Sequence, residues 1–123
     1  MGKFIIHTQE NGCSFSLLAA NGEIVAQSDV YAGRSACLRG IESVRRNASA
    51  RVEDQTVRGY ETLPNPKYEL YKDRKRLYRY RLRARNGKII ASGGGQKDKE
   101  LCIQGIESVR RNAAKAKILE QNG

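Results

Sequence analysis

The chain has 123 residues, of which 39% are hydrophobic and 29% charged, and it carries a formal net charge of +10. That is the size of one ordinary domain, and with no apolar run long enough to span a bilayer and no charged-then-apolar leader it reads as a soluble, cytoplasmic protein without a membrane partner. Three cysteines without a CxxC pair (Cys13, Cys37, Cys102) and one histidine (His7) exclude a disulfide framework and a four-ligand zinc site, so no metal or cofactor is expected.

The first strand begins at Lys3-Phe4, and in the second Cys13, Phe15, Leu17 and Ala19 alternate onto one face, the face that meets the helices. Asn21-Gly22 reads as a two-residue type I′ hairpin, which needs positive φ at both central residues. Carrying the register through that turn places Ile24 and Ala26 on the inner face as well. A helix follows from about Arg34 to Asn47, with Gly33 in the N-cap place and Cys37, Ile41 and Val44 at the spacing of one buried stripe. Gly40 interrupts this helix at a cost of roughly 1 kcal/mol against Ala, which points to a neighbour packed too closely for a side chain. Ala50 to Glu53 form a closing strand. Gln55 to Pro66, with Gly59, Pro64 and Pro66, reads as a linker between repeat one (1–54) and repeat two (67–120) of a single domain.

The same order then recurs, because Gly40 to Ala48 reappear letter for letter as Gly105 to Ala113. At an offset of 65, Tyr78, Tyr80, Leu82 and Ala84 replace the inner-face residues of the second strand, Asn86-Gly87 repeats the turn, and Ile89 and Ala91 are expected inside. The second helix runs from about Lys99 to Asn112 with Asp98 as N-cap and Cys102, Ile106 and Val109 buried. Ala116 to Leu119 close the repeat. Cys37 and Cys102, at equivalent apolar positions, read as small core residues.

The repeats share a scaffold but not a surface. Met1 to Gln55 hold six basic and six acidic residues, whereas Thr56 to Gly123 hold seventeen basic and seven acidic, so repeat two and its linker carry the whole excess. The sharpest candidate site is Arg79, Arg81, Arg83 and Arg85, which strand geometry sets on one outer face about 6.6 to 6.8 Å apart, close to the phosphate repeat of an extended single strand. Arg85 is expected to face Lys88 across the turn, and Tyr71 to share the face as a stacking surface. The competing reading is a solvated sheet face whose arginines are screened by Glu69.

Gly93-Gly94-Gly95-Gln96-Lys97 lacks the Gly-Lys-Ser/Thr of a P-loop and reads as a connector or bulge in preference to an anion cup. Arg45, Arg46, Arg110 and Arg111 end their helices, where cations complement the macrodipole, and are secondary anion-binding candidates that pseudo-twofold symmetry could bring to a shared site. Glu42-Ser43 and Glu107-Ser108 project about a hundred degrees apart and form no acid–nucleophile pair. His7 has no counterpart in repeat two and reads as a surface or edge histidine.

The pattern N-G-x-I-x-A, followed by a helix bearing G-I-x-S-V-R-x-N and present twice after K-[FY]-x-[IL], resembles the YegP-like family of small proteins. The resemblance implies an α+β fold, a tandem duplication of a β(3)-α-β unit that forms a single antiparallel sheet with two helices packed on it and exchanges its C-terminal strands. It brings no activity, catalytic residue or cofactor. The aromatic that usually precedes the helix is met by Tyr31 and replaced by Gln96 in repeat two.

These observations predict a non-catalytic binding module whose basic second-repeat surface takes nucleic acid or another polyanion. The alternative is a protein-interaction or self-assembly module in which Leu18, Val25 and Ile90 on the outer face pack against a partner and the arginines meet an acidic protein surface; in either case the chain is expected to be a monomer with internal pseudo-twofold symmetry or a weak homodimer. An enzyme is the least favoured class, since no nucleophile stands beside a base.

Overall fold

Period-two alternation builds the strands of the computed structural model, which describes residues 2–122. In β1 (Lys3–Gln9) Phe4 and Ile6 are buried, and in β2 (Gly12–Leu18) Cys13, Phe15 and Leu17 are. Next come β3 (Ile24–Gln27), α1 (Arg34–Asn47) and β4 (Arg51–Asp54). Repeat two supplies β5 (Lys67–Lys72), β6 (Tyr78–Arg83), β7 (Ile89–Gln96), α2 (Lys99–Asn112) and β8 (Lys117–Asn122).

The eight strands form one sheet in the order β4-β5-β6-β7-β3-β2-β1-β8. Each closing strand thus lies against the first strand of the other repeat. Both of those outer pairs, β4 with β5 and β8 with β1, are parallel, so the sheet is mixed where an antiparallel one was expected. The reason is topological: a strand that leaves a helix and crosses to the far edge arrives running the same way as the strand it joins.

Both helices bury one stripe in a shared core, α1 through Cys37, Ile41 and Val44, and α2 through Cys102, Ile106 and Val109. Asp98 caps α2 by accepting from the Glu100 amide at 3.0 Å, whereas Gly33 offers α1 no side-chain cap. A Cβ on Gly40 would lie 2.4 Å from the Tyr31 hydroxyl, and one on Gly105 would lie 3.0 Å from Cε1 of Tyr80. In repeat one Phe15 and Tyr31 stack at 6.3 Å. In repeat two Tyr80, the counterpart of Phe15, fills the space alone and its hydroxyl donates to the Val25 carbonyl. Tyr80 therefore makes an aromatic at position 96 unnecessary.

Two expectations about the hairpins are corrected. Asn21 and Asn86 do not have positive φ; only Gly22 (+87°) and Gly87 (+86°) do, and each asparagine side chain accepts from the amide two residues on. This is the longer turn ending in a glycine bulge. Irregularities at Leu17/Leu18 and Leu82/Arg83 then shift the register by a residue. Ile24 and Ile89 are consequently 59% and 40% exposed instead of lying inside, while Ile90, expected outside, belongs to the core.

The triple glycine is the end of β7. A Cβ on Gly93 would meet the Tyr80 hydroxyl at 2.5 Å, and Gly94, at φ +100°, pairs with Arg79 next to a bulge at Gly95.

Candidate functional site

Strand β6 lies between β5 and β7, with Arg79 paired to Tyr71, Arg81 to Glu69 and Arg83 to Lys67 on the β5 side. Alternation turns the three arginines away from the helices, because Tyr80 and Leu82 occupy the core. Arg81 and Arg83 both donate Nε–H to the same oxygen of Glu69, each at 2.6 Å, and Arg83 also donates to the Gly87 carbonyl at 2.8 Å. Arg79 pairs with Asp73 at 2.6 Å. The guanidinium of Arg81 lies 4.5 Å from the centre of the Tyr71 ring, a cation–π contact.

Beneath this layer is a buried ionic group. Lys67 Nζ is 2.7 Å from Glu53 and 3.5 Å from Glu69, and all three side chains are nearly inaccessible. Burial raises the carboxyl pKa of both Glu53 and Glu69, but the bonds they accept prevail. Lys67, Gln55 and the Leu63 amide hold Glu53 down to about 2, and Arg81 and Arg83 hold Glu69 below the usual carboxylate range. Asp73 is lowered by the hydrogen bond from Arg79.

One row across the sheet displays how the repeats diverged. From β4 to β8 the paired residues are Glu53, Glu69, Arg81, Ser92, Gln27, Ser16, Ile5 and Leu119. In this row the repeat-two half of the outer face is ionic, and the repeat-one half is neutral or apolar. Each position has its counterpart across the junction, where Gln27 pairs with Ser92.

Arg85 does not continue the stripe. Strand β6 ends at Arg83, and Ala84 rather than Arg85 pairs with Lys88 through the bond from its amide at 2.9 Å. The extra turn residue moves Arg85 to an exposed depression of about 590 Å³ that it shares with Ser43, Arg46 and Asn47 of α1. Arg111 and Ser108 line a second depression with Asn21. Arg46 and Arg111 thus line two separate hollows and do not share one.

Arg45 and Arg110 hold the exchanged strands. Nη2 of Arg45 donates to the Ala116 carbonyl at 2.7 Å, and Nη2 of Arg110 donates to the Ala50 carbonyl at 2.6 Å. Their guanidiniums lie 5.6 Å from the Phe4 ring and 5.5 Å from the Tyr68 ring. In both, Nε is buried without a hydrogen-bond partner, although that of Arg45 lies 3.7 Å from the Glu42 carboxylate.

Sequence reasoning missed one cluster. Tyr60, Tyr78, Lys72 and Lys99 join Tyr71 and Thr56 around a cleft of about 640 Å³ at the end of β4. The pairing of Lys72 with Tyr78 follows from the β5–β6 register, but the linker's return toward the sheet has no local signal.

The remaining chemistry-bearing groups are dispersed. All three cysteines are buried and free, and burial pushes the thiols of Cys37 and Cys102 up to about 11. His7 meets the Ser16 hydroxyl at 3.1 Å, and β8 covers its strand, so it is not an edge residue. No group of three metal-ligating side chains occurs among the described residues.

Two interlocked β(3)-α-β repeats on one mixed sheet define a tandem-repeat α+β protein. The chain belongs to the family described as a domain of unknown function, DUF1508, whose model matches residues 10–54 and 73–120. It is similar to a UPF0339 protein of Methanosarcina acetivorans, 55% identical over 43% of this chain and 91% of that one. It is also similar to the UPF0339 protein YegP of Yersinia pestis, 32% identical over 91% of this chain and 88% of the other. Among solved structures, yegP from E. coli, a protein of unknown function, matches with a TM-score of 0.79 at 27% identity, covering 99% of this chain and 94% of that chain.

Proposed function

We propose that this protein is a non-catalytic binding module whose repeat-two sheet face holds a polyanion, nucleic acid foremost. The observation that carries the reading is the sharing of one Glu69 oxygen by the Nε atoms of Arg81 and Arg83. A carboxylate engaged in this way fixes two guanidiniums while leaving Nη donors for phosphate, whose contacts with arginine are charge-assisted and often forked. Glu69 and Asp73 neutralise part of the stripe. Its cationic character is restored at both ends of β6, by exposed Arg74, Lys75 and Arg76 before it and Lys88 after it, none ion-paired among the described residues.

The test is a salt titration of binding to a labelled single-stranded oligonucleotide. Three phosphate contacts give log K a slope of about −2 against log salt, since each contact on a single strand contributes about −0.7. Replacing Arg79, Arg81 and Arg83 by Ser removes most of that slope. Salt-independent binding, or none at low ionic strength, would overturn the reading.

A second reading rests on the other half of the same face, where Ile5, Leu18 and Leu119 replace Glu69, Arg83 and Glu53. That half suits a protein partner whose acidic rim meets the arginines. No helix among the described residues is long and apolar enough to cross a membrane, and buried free thiols suit the cytoplasm, where we place the protein.

A further inference from the structure

Where β4 stops, β5 continues. Asp54 pairs with Leu70, so Tyr71 and Lys72 extend beyond the edge strand. The chain turns away there: Asp54 accepts from the Thr56 amide and hydroxyl at 3.0 and 2.5 Å, and its second oxygen pairs with Lys99 of α2 at 2.5 Å. The linker comes back to set Tyr60, 43% exposed, on the far side of the opening. Three of the six tyrosines therefore line one cleft. The other three, Tyr31, Tyr68 and Tyr80, are engaged in packing around the helices.

The geometry points to this cleft as a base-stacking subsite for single-stranded nucleic acid, at one end of the arginine stripe; the inference rests on the polyanion reading above. Three features carry it. The volume of about 640 Å³ falls in the range of small-ligand sites, large enough for a nucleotide unit. Its walls are aromatic and two cations line it, Lys72 with its ammonium 4.9 Å from the centre of the Tyr78 ring and Lys99 paired with Asp54. Tyr71 joins cleft and stripe, because its ring both lines the cleft and lies under the Arg81 guanidinium. Arginines at strand spacing followed by one exposed and two half-buried rings are the two parts of a sequence-tolerant single-strand platform: one follows the backbone, the other receives bases. A duplex, with its bases already stacked, gains nothing from the rings.

The experiment compares one oligothymidylate with an abasic oligonucleotide of equal phosphate number, each titrated into the full chain. Base stacking contributes about 1–3 kcal/mol per base, so the intact strand is expected to bind about 5- to 150-fold more tightly. Tyr60→Ser, at an exposed site whose change leaves the core intact, is expected to narrow that ratio without altering abasic binding. Arg81→Ser, in contrast, weakens both ligands. Equal dissociation constants for intact and abasic strands would overturn the stacking subsite and leave the polyanion reading standing. Binding of neither strand would overturn both, and tighter binding of an acidic peptide than of either strand would overturn the subsite in favour of a protein partner.

Discussion

Arg45 and Ala116 are 71 residues apart in sequence and 2.7 Å apart in space, joined by a bond from Nη2 to the carbonyl that leads into β8. Arg110 makes the same bond to Ala50, ahead of β4. The first arginine of each helix-ending pair therefore fastens the other repeat's exchanged strand, which gives the duplicated nine-residue block a packing role that both copies need.

Arg45→Met and Arg110→Met should each destabilise the fold by about 1–3 kcal/mol, because each leaves a carbonyl without its charged donor. Arg46→Met and Arg111→Met should stay within about 0.5 kcal/mol, as substitutions outside such contacts usually do. Urea unfolding followed by circular dichroism measures the difference.

Gly40→Ala sets helix propensity against space. The new methyl would fall 2.4 Å from the Tyr31 hydroxyl and 2.7 Å from its Cζ, so overpacking should cost about 1–3 kcal/mol despite the gain of about 1 kcal/mol in propensity. In a Tyr31→Ala background the same substitution should become stabilising. A double-mutant cycle reads the reversal directly.

Glu69→Gln removes the anion between Lys67, Arg81 and Arg83. The loss should be about 1–3 kcal/mol, less than for a fully buried pair, because both guanidiniums remain more than a quarter exposed. Polyanion binding by the folded variant should strengthen, since the stripe gains unpaired charge. Denaturant midpoints and oligonucleotide titration on the same sample separate the two effects.

Acid should weaken the fold through Glu53. Its folded pKa, about 2, lies below the unfolded value, so its contribution is fully present above the unfolded pKa and is lost as the pH falls from about 5 toward 2. Thermal midpoints measured across that range should decline, and more shallowly in Glu53→Gln.

The helices are legible because three-and-four spacing, the repeated block and Asp98 agree, and both run over the expected residues. The exchanged strands follow from the resemblance. The hairpins are harder to read, since Asn-Gly serves a type I′ turn and a bulged turn alike, and one extra turn residue is enough to move Arg85 off the stripe and Ile90 into the core. Arg79, Arg81, Arg83 and Tyr71 share their face as alternation requires. Glu69 as the screening carboxylate on the neighbouring strand is equally legible, whereas Glu53 reaches Lys67 only through the strand exchange and Asp73 reaches Arg79 by a tight turn. The Tyr60 side of the cleft depends on the path of a linker that no periodicity describes.

The most direct measurement is a two-dimensional NMR titration of the labelled chain with a short single-stranded oligonucleotide, following backbone amides and arginine Nε–H groups together. The account predicts shifts concentrated at Arg79, Arg81, Arg83, Tyr71 and Tyr60, fading as salt is added, with Ile5, Leu18 and Leu119 unmoved. Shifts confined to the apolar half of the sheet, or no shifts at low salt, would contradict it.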